Sequence, residues 1–326
     1  VLTFAANDPL LLLCAAFALD LVLGDPAYRL HPVRLLGDAC LLHERWLRAL
    51  GLGGYTGGIL HWLLMQSTAL GAWWGLRCVA TMWHPWAAFA VDLLLAWQLL
   101  CLRDLLDHGR RVLRAIPADD EAPLDEARQA VGMLVGRDTE RMDRGGVVRA
   151  TVESLSENLT DGVLTPLWAF CLGGIPALIV VKVISTLDSM VGYRNQRYRR
   201  FGWAGARSDD LIHWLPARLS VPLIAASGLF VGGHPGSALS CAWREHGRLE
   251  SPNSGWSEAA IAGALRLRLL GPIYKNGQLV NETWMGPQSW STPSDGTALR
   301  RALWLIGISG VVAWGLGILA HLLIYA

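Results

Sequence analysis

The residues able to do chemistry in this 326-residue chain fall into four short stretches. The first is ESLSENLTDG, residues 153–162. Glu153, Glu157 and Asp161 stand four apart, so a helix would align them as one acidic stripe. Three carboxylates on one face repel unless a cation lies between them. Mg²⁺ carrying phosphates is one such cation, since it binds through one or two carboxylates plus phosphate oxygens. Arginines from the stretch at residues 185–210 are another. A solvated helix face would carry the same pattern, but this one runs straight into an apolar segment at Val163.

The second stretch is STLDSMVGYRNQRYRRFGWAGARSDD, residues 185–210. From Asp188 onward it holds five arginines, three aspartates and four aromatics. Read as a helix from Asp188, it puts Arg194, Tyr198 and Phe201 on one face and Tyr193, Arg197 and Arg200 on another, with a break at Gly202. Guanidinium groups grip phosphate or carboxylate with two hydrogen bonds and stack on aromatic rings. An anchor for the preceding apolar segment would explain the arginines, but not Asp188, Asn195, Asp209 and Asp210. The third stretch is SPNSGWSEAAIAGAL, residues 251–265. Its start is turn chemistry, and Ser254 or Ser257 could cap the helix that follows. Glu258 falls in the first turn of that helix, whose free N–H groups suit an anion. A simple capped helix fits equally well. Ala259, Ala260, Gly263 and Ala264 permit close backbone packing. The fourth is LDLVLGDPAYRLHPVRLLG, residues 19–37, which sets Asp25, His31 and Arg34 beside a membrane exit.

Several alternatives are missing. There is no GxxxxGK[ST] phosphate loop, and the glycine-rich GLGGYTGG (51–58) follows no strand. Neither GxSxG nor HExxH occurs. The six cysteines are scattered without a CxxC pair, which argues against zinc and against a disulfide framework. Net charge is +1, so no bulk field draws nucleic acid.

The elements that must position these residues are mostly apolar helices. The chain is 52% hydrophobic and only 17% charged, with 16 tryptophans. Tryptophan favours membrane–water interfaces. Residues 302–325 lack Lys, Arg, Asp and Glu, and are long enough to cross a bilayer core of about 30 Å. Residues 57–80 and 85–102 read as a helical hairpin turning at TMWH, and 9–24 as a short first span that is not a cleaved signal peptide. Residues 163–187, interrupted by GGIP, and 214–233, with Pro216 and Pro222, read as full spans or as broken, re-entrant helices. Re-entry keeps every polar motif on one face. The expectation is an all-α polytopic integral membrane protein of about four to six membrane segments, forming one domain over 1–326. Segment 103–150, with nine arginines, is a cytoplasmic helical insertion turning at PADDEAP, and 234–300 is a polar segment before the last span.

Taken together and in this order, LGDP with HPVR, ESLSENLTDG, TLDSMVGYRNQRYRRFGWAGARSDDL with PAR, and SPNSGWSEAAIAGAL resemble the adenosylcobinamide-phosphate synthase family of cobalamin biosynthesis, CobD/CbiB. The resemblance runs from about residue 19 to residue 286. Gln196 stands where an acid is expected, His213 where Asn is common and Ser257 where Pro is common.

The resemblance implies an enzyme of the bacterial inner membrane, with its motifs on the cytoplasmic face. It would join (adenosyl)cobyric acid to (R)-1-aminopropan-2-ol or its O-phosphate, giving (adenosyl)cobinamide or its phosphate, with ATP and Mg²⁺ activating the carboxylate. In that chemistry Glu153, Glu157 and Asp161, with Asp188, are expected to hold Mg²⁺. Arg194, Arg197 and Arg207 would bind phosphates, with Tyr193, Asn195, His31, Arg34, Asn253 and Glu258 completing the substrate contacts. Glu157, Asp161, Asp209 and Asp210 are the expected catalytic acids, one of the last two taking the proton from the attacking ammonium. Expected partners are the corrin and amine substrates, membrane lipid and later cobalamin-assembly enzymes, and no nucleic acid. The alternatives are a Mg²⁺-dependent membrane phosphotransferase or prenyltransferase, and a transporter using Asp20 and Asp92.

Overall fold

Helix starts in the first part of the chain are set by short polar side chains followed by proline. In the computed structural model, which describes residues 8–119 and 122–325, the Asp8 carboxylate accepts from the N–H groups of Leu10 and Leu11 and opens α1 (Pro9–Leu23). Gly24, at φ 67°, ends it. His31 caps α2 (Pro32–Ala49) by accepting from the Val33 N–H through Nδ1. His84 does the same for Trp86 between α3 (Tyr55–Trp83) and α4 (Pro85–Leu99), so the expected hairpin turns at this histidine. Helices α5 (Leu102–Ala115) and α6 (Asp125–Gly132) follow; the centre of the expected PADDEAP turn, residues 120 and 121, lies outside the described residues. Helix α7 (Arg144–Asn158) widens into a π-helical turn (Leu159–Leu164) and continues as α8 (Thr165–Val191). Then come α9 (Trp203–Gly228), α10 (Pro235–Glu245), α11 (Ser254–Leu265) and α12 (Gly296–Tyr325).

Four helical stretches among the described residues are long and apolar enough to cross a membrane: Pro85–Ala115, Arg144–Val191, Trp203–Val231 and Gly296–Tyr325. The chain is an all-α polytopic membrane protein. Helix α8 breaks at Gly174, whose φ 64° and ψ −157° only glycine adopts readily, two residues before Pro176. The expected interruption at GGIP is therefore a kink inside one long helix. Helix α9, by contrast, runs through Pro216 and Pro222.

The described contacts divide into two compact units, one drawn from Val1–Arg103, Thr165–His213 and Trp314–Ala326, the other from Asp104–Leu164 and Trp214–Ala313. In the first, Asp92 accepts from Trp73 Nε1 at 2.7 Å and from Arg77 Nε at 2.9 Å, which ties α3 to α4. Asp20, 1% exposed, accepts from the Leu102 N–H at 3.1 Å. Both acids that a transporter reading would use are thus held by neighbouring helices.

In the second unit α10 and α11 pack backbone to backbone. A Cβ on Gly263 would meet the Ser237 carbonyl and Ala238 Cα, and Ala259, Ala260, Ala262 and Ala264 are fully buried. The segment after α11 is not only polar loop. It forms two antiparallel ribbons, β1 (Leu269–Leu270) with β4 (Trp284–Met285), and β2 (Ile273–Lys275) with β3 (Gln278–Asn281). The β2–β3 turn is Asn276-Gly277 with φ 52° and 74°, the left-handed pair that a two-residue hairpin requires.

Candidate functional site: a carboxylate-lined cleft with a basic rim

Asp143 accepts from the Gly146 N–H and starts α7, which carries Glu153 and Glu157. The π-helical turn then adds Asp161. Because that turn is wider than an α-turn, the three acids do not form one uniform stripe. Glu153 is 5% exposed, Asp161 half-buried and Glu157 exposed.

Glu153 has partners on both oxygens. It ion-pairs with Arg137, and it accepts from the Leu270 N–H at 2.7 Å. Leu270 sits at φ 60°, a left-handed conformation that costs a leucine about 1–2 kcal/mol. Arg149 Nε donates to the Leu270 carbonyl at 3.2 Å. Glu153 and Arg149 therefore grip this strained peptide from both ends.

Glu258, on α11, is 4% exposed. Burial pushes its carboxyl well above the usual carboxylate range, and the negative charges of Glu157, Glu153 and Asp161 push the same way against Arg137. Its Oε2 has no hydrogen-bond partner. The α11 start differs from expectation. Its N–H groups are capped by Ser251, whose Oγ accepts from the Asn253 and Ser254 N–H groups, rather than by Ser254 or Ser257. Ser251 thus takes up only the first of the helical N–H groups, and Glu258 faces other acids.

Glu153, Glu157 and Glu258 line a cleft of about 400 Å³ together with Arg137, Lys275 and Leu270. A second cleft of about 690 Å³ shares Arg137 and Ile273 and adds Arg141, Arg149, Gly146 and Tyr274. Its wall is fixed by Asp138, whose carboxylate accepts from the N–H groups of Asn276 and Gly277 at 3.0 and 2.7 Å. Elsewhere in this unit Arg218 lies over the Trp214 and Trp256 rings, and its Nη1 donates to Asn253 Oδ1 at 3.5 Å.

Among the described residues no three His, Cys, Asp or Glu side chains gather into a set able to hold a metal ion. Glu153, gripped by Arg137 and Leu270, does not fit as a ligand. A Mg²⁺ brought by phosphate needs only one or two carboxylates, and Glu157, exposed and lining the cleft, is one that fits.

Asp188 and the arginine stretch belong to the other unit. Helix α8 ends at Val191, and residues 192–202 are turns, so the expected helix from Asp188 stops after one turn. Glycine allows this: a Cβ on Gly202 would collide with the Val191 carbonyl, and one on Gly192 with Asp188. The helix begins after Gly202 instead of breaking there.

Within the turns Arg197 Nη2 donates to Glu44 Oε1 at 2.9 Å, and Arg48 Nε donates to the same oxygen at 2.7 Å. Burial raises the Glu44 carboxyl, but the hydrogen bonds from Arg197 and Arg48 more than offset this and hold it below the usual range. Tyr193 and Arg194 are exposed, and Asn195 Oδ1 accepts from the Tyr198 N–H at 3.0 Å. Arg207 pairs with Asp210 at 3.4 Å, and Asp209 lies 3.2 Å from His213 Nε2. His31 Nε2 is 2.7 Å from Asp25, and Arg34 is exposed. Sequence reasoning missed Glu44, Arg48, Arg137, Arg149 and Lys275. Only Lys275 had a local signal, the Asn-Gly hairpin beside it.

A family model described as CobD/Cbib protein matches residues 13–306. The chain is 40% identical over 281 residues to cobalamin biosynthesis protein CobD of Photorhabdus laumondii, covering 84% of this chain and 86% of that protein. It is 40% identical over 285 residues to cobalamin biosynthesis protein CobD of Geobacter metallireducens, covering 87% and 88%. It is 34% identical over 315 residues to cobalamin biosynthesis protein CbiB of Salmonella typhimurium, covering 94% and 96%. No solved structure matches the chain.

Proposed function

The chain belongs to the CobD/CbiB family, and from that premise we propose that it acts in cobalamin biosynthesis as an amide-forming ligase. It joins the free propionate carboxylate of (adenosyl)cobyric acid to the amine of (R)-1-aminopropan-2-ol or its O-phosphate. Membership over residues 13–306 is the observation that carries this reading. The cleft supports it by bringing carboxylates and guanidinium groups together in one unit.

A carboxylate does not condense with an amine in water without activation. ATP, with Mg²⁺ neutralising its phosphates, would supply the phosphoryl group that makes a carboxylate oxygen a leaving group, ADP being released first and phosphate on amine attack. Glu157 and Asp161 are the proposed Mg²⁺ ligands. Arg137 and Lys275 offset the phosphate charge in the cleft. The larger cleft beside it, with Arg141 and Arg149, offers surface for the broad corrin. In the other unit, exposed Arg194 and Arg207 are proposed phosphate ligands. These motifs are proposed to face the cytoplasm, where ATP is.

The test is purified protein in detergent with cobyric acid, ATP, Mg²⁺ and each candidate amine, read by mass spectrometry. An adduct of acid plus amine minus water is expected. The E157Q/D161N double variant should lose at least about 100-fold in turnover, on the scale of losing a preorganised electrostatic contact. Near-normal turnover would remove the acidic assignment. An R194Q variant with unchanged apparent affinity for ATP and for the amine phosphate would discard its role.

A further inference from the structure

We propose that an apolar groove in the first unit holds one acyl chain of an anionic phospholipid, with the headgroup phosphate against Arg29 and Arg34. The groove has a volume of about 380 Å³ and is walled by the segment before α2, the start of α2, α3, α4 and one residue of α8. None of its lining residues is charged. Leu99 and Ile179, both nearly fully buried, are its floor, and Ala69 and Ala72 keep the α3 wall low. Leu30, Leu35, Leu76 and Leu94 also line it and stay exposed. Large aliphatic side chains left open around one concavity mark an interaction site, unlike leucines scattered singly over a surface. Helix α4 lies in a stretch long and apolar enough to cross a membrane, so the medium around the groove is hydrocarbon.

Length and polarity select the occupant. The lining runs from Ala69 to Leu76 on α3 and from Val91 to Gln98 on α4, about 10 Å along each at roughly 1.5 Å per residue. One leaflet of a bilayer core is about 15 Å deep, so the groove takes most of one acyl chain and stays within that leaflet. The end towards the His84 turn is apolar, with the indole N–H of Trp73 donated to Asp92 at 2.7 Å. The opposite end is polar. There Tyr28 donates its hydroxyl to Gln98 Oε1, which spends the Gln98 acceptor and leaves its N–H₂ to donate to an ester carbonyl. Exposed Arg29 and Arg34 flank the lining residues Leu30 and Pro32 in the chain, and a guanidinium grips phosphate with two hydrogen bonds. Asp25, the acid before them, lies 2.7 Å from His31 Nε2, and Asp38 follows only one turn after Arg34. Anionic lipid is enriched in the cytoplasmic leaflet, the side these residues are proposed to face. The site goes beyond the ligase reading and does not depend on it.

The experiment is native mass spectrometry of the full-length protein released from detergent and titrated with phosphatidylglycerol. Wild type should retain one phosphatidylglycerol more tightly than any further copy. A72F, a change at an exposed position that fills the groove, should retain it at least tenfold more weakly while melting normally. R29Q should weaken phosphatidylglycerol but not the uncharged diacylglycerol with the same chains. A phosphatidylglycerol carrying a diazirine on one acyl chain, added to wild type, should crosslink to the groove-lining residues of α3 or α4, a readout that needs no variant to fold. The proposal is overturned if A72F retains the lipid like wild type, or if lipids bind in a continuous series with no tight first copy, as annular lipid would. Crosslinks confined to other helices, or displacement of the lipid by glycerol 3-phosphate alone, would also overturn it. So would a dimer that A72F dissociates while lipid retention stays the same, since the groove would then join two copies of the chain.

Discussion

Glu44 and Glu258 are both nearly fully buried carboxyls, 2% and 4% exposed, yet their surroundings push them in opposite directions. Glu44 accepts from two arginines, which hold its carboxyl below the usual range despite burial. Its contribution to stability is complete above its unfolded value of about 4.3 and is lost as pH falls through the lower folded value. An E44Q variant should therefore be less stable at neutral pH by about 1–3 kcal/mol, since the pair is buried at the acid and open at Arg197. The gap should close in acid; thermal unfolding in detergent across pH reads this out. Glu258 behaves the other way. Its folded value is raised, so stability falls as pH rises from about 4.3 through that value. E258Q should match wild type in acid and exceed it in stability on the alkaline side. The same melting series checks it.

At the scale of elements, glycine and close packing decide what the chain can do. Gly174 holds the α8 kink at φ 64° and ψ −157°. A Gly174→Ala change should cost about 1–3 kcal/mol, because a Cβ is strained there whatever the space around it. Gly263 lets α11 lie on the α10 backbone, and Gly263→Leu should lower stability by about 1–3 kcal/mol or more through overpacking. Chemical denaturation or detergent melting of each variant measures these. Much of this level was readable in advance. The α3–α4 hairpin, the break at GGIP and the small-residue face of α11 follow from apolar length, Gly-Pro chemistry and side-chain size. The arginine stretch can be written on a helix from Asp188, but it leaves the helix at Val191 and re-enters one only at Trp203. Its Gly192 and Gly202 serve close chain crossings, and no local signal tells a crossing glycine from a helix-weakening one. The ribbon at 273–281 lies in a segment whose composition reads only as polar, and Asn276-Gly277 is its one local hairpin signal.

At the scale of the whole molecule, four helical stretches long and apolar enough to cross a bilayer make this an integral membrane protein of the CobD/CbiB family. The proposed cytoplasmic placement of the arginine turns has a direct test. A cysteine replacing exposed Gln196 should react with a membrane-impermeant maleimide in inside-out vesicles and not in intact spheroplasts. The other five native cysteines, all but Cys241, would first be replaced. Cys241 should matter little to the background, because burial, aided by Glu245, pushes its thiol up to about 12.

The sequence by itself determined the class of the molecule. Hydrophobic length and scarcity of charge specify membrane helices, and four polar motifs in a fixed order specify the family. It also marked the acids at 153, 157 and 161, because charges beside an apolar segment stand out in one dimension. Only the tertiary structure decided what each acid faces. Glu153 meets Arg137 and the strained Leu270 peptide, Arg197 meets Glu44, and Glu258 is buried among like charges. Burial and partner charges come from residues more than a hundred positions away, as with Glu153 and Leu270, and that is why local spacing could not assign those roles.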